Sequence, residues 1–264
     1  MAYRSLTEFL DRAERAGELT RFRDPVDLRL DMAALADRAA KQGGPVLLFE
    51  RPSAGKFPVA MNLFGTRRRT SWALSCEDFQ EHADALRALL KTAPPRTLWD
   101  KLKLLPTLGK LATMGPKVVG SGACQEVVLT GEQADLGILP VLTTWPHDGG
   151  PFITLPQVIT RDPDTGIRNV GMYRLQVQGP RRLGLHWQLH KTATAHYREY
   201  QKRGERMPVA IALGGDPALT YCASAPLPPN VDEYLFAGFL RGEGVRMVKG
   251  VATGIRSPRF WYSR

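Results

Sequence analysis

The chain has 264 residues, of which 43% are hydrophobic and 23% charged, a composition typical of a globular protein with one large or two modest domains. Its 36 Lys and Arg residues outnumber 26 Asp and Glu residues, giving a net charge of +10. The basic residues are spread out and no nucleic-acid motif is present, which favours solvated charged faces over a nucleic-acid interface. No apolar run approaches the roughly 20 residues of a membrane span, and the three cysteines lie far apart, which together predict a cytoplasmic protein with reduced thiols.

The first part of the chain shows helices alternating with strands. Ser5 precedes apolar residues at helical spacing and is followed by Glu8, which predicts a capped helix ending at Gly17. Further helices are predicted over "DMAALADRAAKQGG" and "CEDFQEHADALRALLK", and strands over "PVLLFER" and "FPVAMNLFG". These elements predict an α/β domain over residues 1–115.

After residue 115, strand-like segments are separated by Gly, Pro and Asp turns. They are "CQEVVLTG", "FITLPQVITRD", "IRNVGMYRLQVQG", "RRLGLHWQLH" and "VAIALGGDPALTYCASA". Helices are predicted over "TATAHYREYQKRG" and "VDEYLFAGFLRG". This pattern predicts a mostly antiparallel sheet or a partly open barrel over residues 116–264, so that the overall class is α/β (α+β).

The segment 98–114 combines an apolar stripe with Lys101, Lys103 and Lys110. Such a segment could rest on a membrane surface or on a partner. Pro106 and Gly109 interrupt the stripe, which favours a packed, broken helix. Peripheral membrane contact therefore stays open at this point.

Residues 169–191 concentrate the side chains with chemical capability around a Gly-Pro-Arg-Arg turn. His186 and His190 have the spacing of a zinc-binding helix face, but the local pattern predicts a strand running into a helix start. Taken singly, each residue also has a structural interpretation. Arg174 can pair with a carboxylate, and Glu233 stands where the first turn of a helix commonly carries an acid.

In combination these segments are specific. "NVGMYRLQ", "LHWQLHK" and "PVAIALGGDPALTYCASAPLPPNVDEYLFAGFLRG" resemble the UbiD-type prenylated-flavin decarboxylases. The likeness extends from "LTEFLDRAERAGEL" through "NLFGT" and "TWPHDGGPFIT" to "VKG". Within the family the chain most resembles 3-polyprenyl-4-hydroxybenzoate decarboxylases of ubiquinone synthesis. The resemblance implies an N-terminal α/β domain followed by a split-β-barrel domain that binds prenylated FMN.

The resemblance also implies a metal and cofactor site. In the family an Asn, a His and a Glu hold a Mn2+ ion against the flavin phosphate, and the matching residues are Asn169, His190 and Glu233. Oxygen ligands with one imidazole suit manganese, and the cation offsets the charge of a phosphate that would be costly to bury. Cofactor contacts are implied for Met172, Tyr173, Arg174, His186, Trp187, Gln188, Lys191 and Thr192.

Arg174 has a second implied role, because the matching family residue faces the substrate carboxylate and a guanidinium can donate two parallel hydrogen bonds. The implied reaction is non-oxidative decarboxylation of an aromatic or α,β-unsaturated carboxylic acid, with covalent catalysis at the flavin. A flavin prenyltransferase supplies such a cofactor, and the intact family is expected to form homo-oligomers. A K+ ion held by backbone carbonyls would lie near Cys222, Ala223 and Ala225.

The C-terminal end departs from the family pattern. The family has a pair of Glu residues and a large domain beyond "VKG", and it continues with Glu-Val-Pro-Ala where this chain reads Arg256-Ser257-Pro258-Arg259. A one-base change of reading frame would relate the two. We therefore expect a partial chain whose split-barrel domain is incomplete and which does not turn over alone. The alternative is a non-catalytic flavin- or phosphate-binding module, or relic, that keeps the fold.

Overall fold

The computed structural model describes residues 2–91, 109, 112–228 and 231–258. The helices are α1 (Leu6–Arg15), α2 (Asp31–Lys41), α3 (Arg67–Ala73), α4 (Phe79–Lys91), α5 (Thr192–Lys202), α6 (Pro217–Cys222) and α7 (Glu233–Arg241). The strands are β1 (Leu19–Phe22), β2 (Val46–Phe49), β3 (Val59–Met61), β4 (Lys117–Val118), β5 (Phe152–Ile153), β6 (Gln157–Arg161), β7 (Arg168–Gly171), β8 (Leu175–Gly179), β9 (Arg182–Leu185), β10 (Ala210–Ala212), β11 (Arg246–Lys249) and β12 (Arg256–Pro258). Most of segment 98–114, with its predicted membrane contact, lies outside the described residues.

The N-terminal part is a three-stranded sheet packed against helices. β2 lies in the centre, parallel to β1 and antiparallel to β3. The predicted start of α1 is confirmed, because Ser5 Oγ accepts a hydrogen bond from the Glu8 N–H at 3.3 Å. The predicted helices α2 and α4 and strands β2 and β3 are also present, whereas β1 and α3 were not predicted.

Helix α3 corrects the interpretation of "RRR" as solvated charge. The side chains of Arg67 and Arg68 are exposed, but that of Arg69 is fully buried. Arg69 Nη1 lies 2.5 Å from Glu18 Oε2, and its Nη2 donates to the Gly44 carbonyl at 2.8 Å. The two terminal nitrogens of this buried guanidinium are thus paired, which offsets much of the cost of burying its charge. Arg69 therefore joins α3 to the sheet.

The second part contains three small sheets, ordered β10-β6-β7, β5-β8-β9 and β12-β11-β4. All their strand pairs are antiparallel except β4 with β11, as the sequence pattern predicts. The predicted hairpin around Gly-Pro-Arg-Arg is the β8–β9 pair. The mixed α/β class is confirmed, and within the described residues the strands form short sheets rather than one closed barrel.

One predicted strand is wrong, and another is correct only in its first part. In "CQEVVLTG" the structure has a short 3₁₀ turn over Ala123–Gln125, and Val127 beyond it is 70% exposed. β-branched residues favour a strand only where a neighbouring strand is there to pair. In "VAIALGGDPALTYCASA" the strand ends at Ala212, and Asp216 caps α6 by accepting from the Ala218 N–H at 2.9 Å. The Asp-Pro pair is a helix start that the β-branched and aromatic neighbours concealed.

The largest core cluster joins β6 and β7 to α6 and α7, with Ile159, Leu219 and Tyr234 among its buried residues. Beside it lies a buried ion pair in which Arg241 Nε donates to Asp216 Oδ2 at 2.7 Å. The main chain of Tyr3 joins this pair by donating to the same oxygen at 3.2 Å. The N-terminal residues are thereby fixed to the second part, and the domain boundary at residue 115 stays a prediction.

Helix α7 also meets the backbone of the connecting segment. A Cβ built on Gly238 would lie 1.9 Å from the Met114 carbonyl oxygen, so only glycine fits at this crossing. The close approach brings α7 against the start of the second part, and thus positions its first residue, Glu233, at the end of β7.

Among the described residues, a search for helices with the length and hydropathy of a membrane span finds none.

Candidate functional site

Asn169 and Glu233 meet where β7 runs past the N-terminus of α7. Glu233 Oε2 accepts from the Val170 N–H at 3.1 Å, so the carboxylate is held beside the strand that carries Asn169. Asn169 is 6% exposed, and its Nδ2 is buried and makes no hydrogen bond of ordinary length and angle, although the Asn169 side chain lies near enough to the Tyr173 hydroxyl to oppose the rise of its pKa. Burial raises the pKa of Glu233 above its ordinary value, against the effect of the Val170 donor.

The loop between β7 and β8 brings the next predicted residues to this place. The Met172 N–H donates to the Ala223 carbonyl at 2.8 Å, which fixes the loop to the end of α6. Tyr173 is buried and meets the Trp187 ring edge-on, with the ring centroids 6.3 Å apart. Burial raises the pKa of Tyr173, and the charge of Glu233 acts in the same direction.

Arg174 lies at the start of β8 and contacts a residue that the sequence analysis did not assign. Its Nη2 donates to Asp148 Oδ2 at 3.0 Å, and its Cζ lies 4.0 Å from the centroid of the Phe152 ring. Asp148 Oδ2 also accepts from Thr144 Oγ1 at 3.0 Å. Burial alone would raise the pKa of Asp148, but the Arg174 and Thr144 hydrogen bonds outweigh it and hold the pKa below its ordinary value.

The remaining predicted residues lie on the segment that connects β9 to α5. Trp187 is half-buried, and the others are exposed: His186, Gln188, His190, Lys191 and Thr192. Helix α5 begins at Thr192 with Lys191 as its N-cap, and no side chain accepts a hydrogen bond there. An uncapped helix N-terminus next to a lysine favours an anion.

The structure brings some members of the predicted metal site together and not others. Asn169 and Glu233 are neighbours through Val170, whereas no hydrogen bond between described residues joins His190 to either. Among the described residues no group of three His, Cys, Asp or Glu side chains could hold a metal ion. An Asn-His-Glu set contains only two of those residue types, so the donor chemistry of Asn169 and Glu233 still fits an oxygen-preferring cation.

Unsatisfied donors are concentrated at this place. Within the part of the chain that the structure describes, five buried side-chain nitrogens lack a hydrogen-bond partner. Three of them belong to predicted site residues, namely Asn169 Nδ2, Arg174 Nε and Trp187 Nε1. Buried polar atoms of native proteins are almost always paired, so these three donors are available to acceptor atoms of a bound ligand.

The carbonyls proposed for K+ are engaged with the backbone. Those of Cys222, Ala223 and Ala225 accept hydrogen bonds from Ala225, Met172 and Leu227, respectively. A carbonyl oxygen has a second lone pair that can still coordinate a cation. The potassium site stays a prediction.

Sequence reasoning missed Asp148, Thr144 and Phe152. All three belong to "TWPHDGGPFIT", a segment quoted for its resemblance without a role for its residues. Asp148, which is followed by Gly149 and Gly150, was the one acidic residue in that segment that could have been assigned a role. Nothing local indicates that it reaches Arg174, which is 26 residues away in the chain.

Two models of one protein family match the chain. The 3-octaprenyl-4-hydroxybenzoate carboxy-lyase N-terminal domain matches residues 10–89. The Rift-related domain of the same carboxy-lyases matches residues 117–259.

Relatives of known sequence extend over nearly the whole chain. An uncharacterized protein of Aquifex aeolicus is 45% identical over 258 residues, which cover 97% of this chain and 53% of that protein. An uncharacterized protein of Archaeoglobus fulgidus is 44% identical over 250 residues, covering 94% of this chain and 51% of the relative. The chain thus spans about half the length of the curated relatives it matches.

Solved structures agree with this likeness. The UbiD-class enzyme HmfF of Pelotomaculum thermopropionicum, in complex with FMN, is 30% identical with a TM-score of 0.78, over 97% of this chain and 53% of that one. The vanillic acid decarboxylase of Sedimentibacter hydroxybenzoicus is 26% identical with a TM-score of 0.81, over 98% of this chain and 53% of that one. Because the family models cover both parts of the fold, including the strands and helix that carry the site, the chain belongs to the UbiD family of 3-octaprenyl-4-hydroxybenzoate carboxy-lyases.

Proposed function

We propose that this chain is the flavin-binding portion of a carboxy-lyase that decarboxylates aromatic or α,β-unsaturated carboxylic acids without net oxidation. The single observation that carries the proposal is the cluster of unpaired buried donors on Asn169, Arg174 and Trp187. Leaving a buried donor unpaired costs about 1–3 kcal/mol each, which a bound ligand with acceptor atoms would recover. HmfF was solved with FMN and, in an evolved dimeric form, with prFMN, so prenylated FMN is the ligand we assign.

Asn169, His190 and Glu233 are the residues that would hold a Mn2+ ion beside the flavin phosphate. The Asn169 amide and the Glu233 carboxylate supply oxygen donors next to each other, and the exposed imidazole of His190 supplies the third ligand. Lys191 and the uncapped N-terminus of α5 add positive charge for the same phosphate.

Arg174 would bind the carboxylate of the substrate. Asp148 occupies only its Nη2, so that the guanidinium keeps further donors for a second carboxylate. When bound, prenylated FMN supplies the electron sink into which the bond to the departing carbon dioxide breaks. Tyr173 and Trp187 would line the flavin and exclude water from one side.

The substrate class follows from the family and its relatives. The matching family is named after 3-octaprenyl-4-hydroxybenzoate as its substrate, and the vanillic acid decarboxylase is named after another aromatic acid. We propose an aromatic carboxylic acid of this kind, with 3-polyprenyl-4-hydroxybenzoate of ubiquinone synthesis as the first candidate. The protein would act in the cytoplasm, receive its flavin from a prenyltransferase and assemble as a homo-oligomer.

The proposal is tested by flavin binding. The purified chain is mixed with FMN or prenylated FMN, with and without Mn2+, and the flavin retained after desalting is measured by absorbance. We expect stoichiometric retention that depends on Mn2+, followed by an assay of carbon dioxide release from 4-hydroxybenzoate and cinnamate. Because a portion of the enzyme is not expected to turn over alone, retention decides the test: absence of retention would contradict both functions, and release of carbon dioxide would exclude the non-catalytic flavin-binding module.

A further inference from the structure

Asp148 is the better-held member of its ion pair with Arg174. Its side chain is 12% exposed, against 39% for that of Arg174. Thr144 Oγ1 and the Trp145 N–H both donate to the oxygen that contacts the guanidinium, at 3.0 and 3.2 Å. The carboxylate is therefore fixed by its own loop, and it determines where Nη2 of Arg174 lies.

Phe152 restrains the same guanidinium from a second direction. The ring lies 4.0 Å from Arg174 Cζ, close enough for a cation–π contact. Phe152 belongs to β5, which pairs with β8 through the register Phe152 with Gln176, and its N–H donates to the Leu142 carbonyl at 2.8 Å. One contact in the plane of the guanidinium and one on its face together define its orientation.

These contacts leave part of the guanidinium unused. Asp148 takes a hydrogen bond from Nη2, while Nε is buried and unpaired. An arginine carries five N–H donors in a rigid fork, so a second carboxylate can bind without displacing Asp148. The arrangement is an anchored guanidinium whose Nε–H has no acceptor among the described residues.

The negative charge of Asp148 affects how Arg174 can bind a carboxylate. A fixed carboxylate next to Arg174 repels an incoming carboxylate and therefore weakens its binding. A contact that served affinity alone would omit this acid. Asp148 instead favours a defined geometry at the expense of attraction, which is the property expected of a group that orients a reacting molecule.

We propose that Asp148 is a positioning residue for Arg174, which with Phe152 holds the guanidinium so that its remaining donors meet the substrate carboxylate. The identity of that ligand rests on the proposed function. The contacts that restrain Arg174, however, are all made by residues of this chain, so they can be measured without flavin or turnover.

The chain contains a matched control. Arg67 Nη2 lies 2.8 Å from Asp78 Oδ1, and Arg67 Cζ lies 4.9 Å from the centroid of the Phe79 ring. This Asp-Arg-Phe set repeats the chemistry of the Asp148 set, but it belongs to the N-terminal part and is exposed. Asp78→Asn therefore removes the same kind of carboxylate without touching Arg174.

The experiment follows the Arg174 Nε–H signal by ¹⁵N-edited NMR, with the signal assigned by its loss in Arg174→Lys. Spectra are recorded for the wild type, Asp148→Asn, Asp148→Glu and Asp78→Asn, first alone and then during titration with benzoate. In Asp148→Asn we expect exchange of the Arg174 Nη2 protons with water, followed in the same spectra, to rise about tenfold, because Nη2 is the donor that loses a charged acceptor; the Nε–H signal reports benzoate. Asp148→Glu should restore part of the protection, and Asp78→Asn should leave the signal unchanged.

The benzoate titration separates this inference from the proposed function. The wild type should show a saturable Nε–H shift, and Asp148→Asn should bind benzoate at least as tightly while its saturated shift falls back toward the free value. Equal exchange rates and equal saturated shifts in both proteins would overturn the positioning role of Asp148 and leave carboxylate binding by Arg174 intact.

A wild type that does not respond to benzoate would instead contradict the proposed function, and with it the ligand named here. If Asp148→Asn does not fold, Thr144→Val replaces it, because it removes one of the donors that hold Asp148. The same shifts decide the outcome in that variant.

Discussion

The Val170 N–H donates to Glu233 Oε2 at 3.1 Å, so the backbone of β7 holds the first side chain of α7. This contact places a half-buried carboxylate against the residue after Asn169, although 64 residues separate Asn169 and Glu233 in the sequence. A single strand and a single helix start thus supply both oxygen ligands of the proposed metal site. The first prediction depends on this pair.

Replacing Glu233 by Gln should weaken flavin retention while leaving the fold intact. The amide still accepts from Val170, but it removes the negative charge from the cation, which typically costs about 10–100-fold in metal affinity. Both proteins are loaded with prenylated FMN and Mn2+, and bound flavin is compared after desalting. Glu205→Gln, in an exposed turn, serves as the control. Equal retention in wild type and Glu233→Gln would rule out this ligand.

Arg174→Lys should separate flavin binding from carboxylate binding. An ammonium keeps the positive charge but cannot make the paired contact of a guanidinium. We expect flavin retention to stay unchanged and benzoate affinity, measured by calorimetry on the flavin-loaded chain, to fall by about tenfold. Arg67→Lys is the matched control. An unaltered benzoate affinity would show that Arg174 has a structural role only.

The buried pair of Asp216 and Arg241 should dominate a stability measurement. Arg241→Met leaves a fully buried carboxylate without its cation, which costs about 3–5 kcal/mol in the free energy of unfolding. Arg203→Met removes an exposed pair with Asp164 and should cost at most about 1 kcal/mol. Urea unfolding monitored by circular dichroism compares the two. Similar losses of unfolding free energy in Arg241→Met and Arg203→Met would mean that the buried pair stabilises the fold no more than an exposed pair does.

His196 should make the protein less stable in mild acid. It is 4% exposed, its Nδ1 lies 2.9 Å from Thr160 Oγ1, and burial lowers its pKa, with the charge of Asp162 opposing the shift. Below the unfolded pKa of about 6.5 the unfolded chain takes up a proton that the folded chain resists, so stability falls until the folded pKa is reached.

The measurement is urea unfolding at pH 7.5 and pH 5.5 for the wild type and His196→Gln. Over this range the wild type should lose at most about 1.4 kcal/mol per pH unit more than the variant, which cannot titrate at this position. Parallel pH dependence in the two proteins would exclude His196 as the responsible group.

Gly238→Ala should destabilise the contact between α7 and the connecting segment. The added methyl would lie 1.9 Å from the Met114 carbonyl oxygen, and backbone cannot yield as a flexible side chain does. We expect a loss of about 1–3 kcal/mol or more in thermal or urea unfolding. Gly120→Ala meets no atom within 4 Å and is the control, with an expected change within about 0.5 kcal/mol. A neutral Gly238→Ala would mean that the helix shifts freely on this segment.

Local signals predicted some elements well. The start of α1 is encoded in Ser5 and Glu8, and its end in Gly17, which adopts φ +70°. Strand β1 has no such signal, because it is only four residues long with polar Thr20 and Arg21 in its centre, and it forms a strand through its parallel pairing with β2. Helix α6 was concealed because it is short and contains Thr220 and Tyr221, which favour strands, while its start is marked by the Asp216 cap and by Pro217.

In the candidate site, too, some features could be predicted from the sequence and others depend on tertiary packing. The family resemblance predicts Asn169 and Glu233 as ligands, and the fold brings the Glu233 carboxylate to the N–H of Val170, the residue after Asn169. Their role as ligands stays a prediction. It could not predict that Asn169 is buried while His190 is exposed, because burial depends on how β7 and the segment before α5 pack. Nor could it predict the contact between Asp148 and Arg174, which arises from the loop before β5 and is not encoded in any spacing.

The position of Tyr3 has a consequence for synthesis of the chain. Its main chain contacts Asp216 and Arg241, which are 213 and 238 residues further along. At typical translation rates Tyr3 is made about 10–40 s before Asp216, so α1 must first rely on the nearby apolar cluster of Phe9, Val46 and Trp72. A contact between residues so far apart in the sequence forms late, because closing the loop between them costs conformational entropy before the contact can stabilise the chain. The first residues therefore settle into their final place only after the ribosome has passed Arg241.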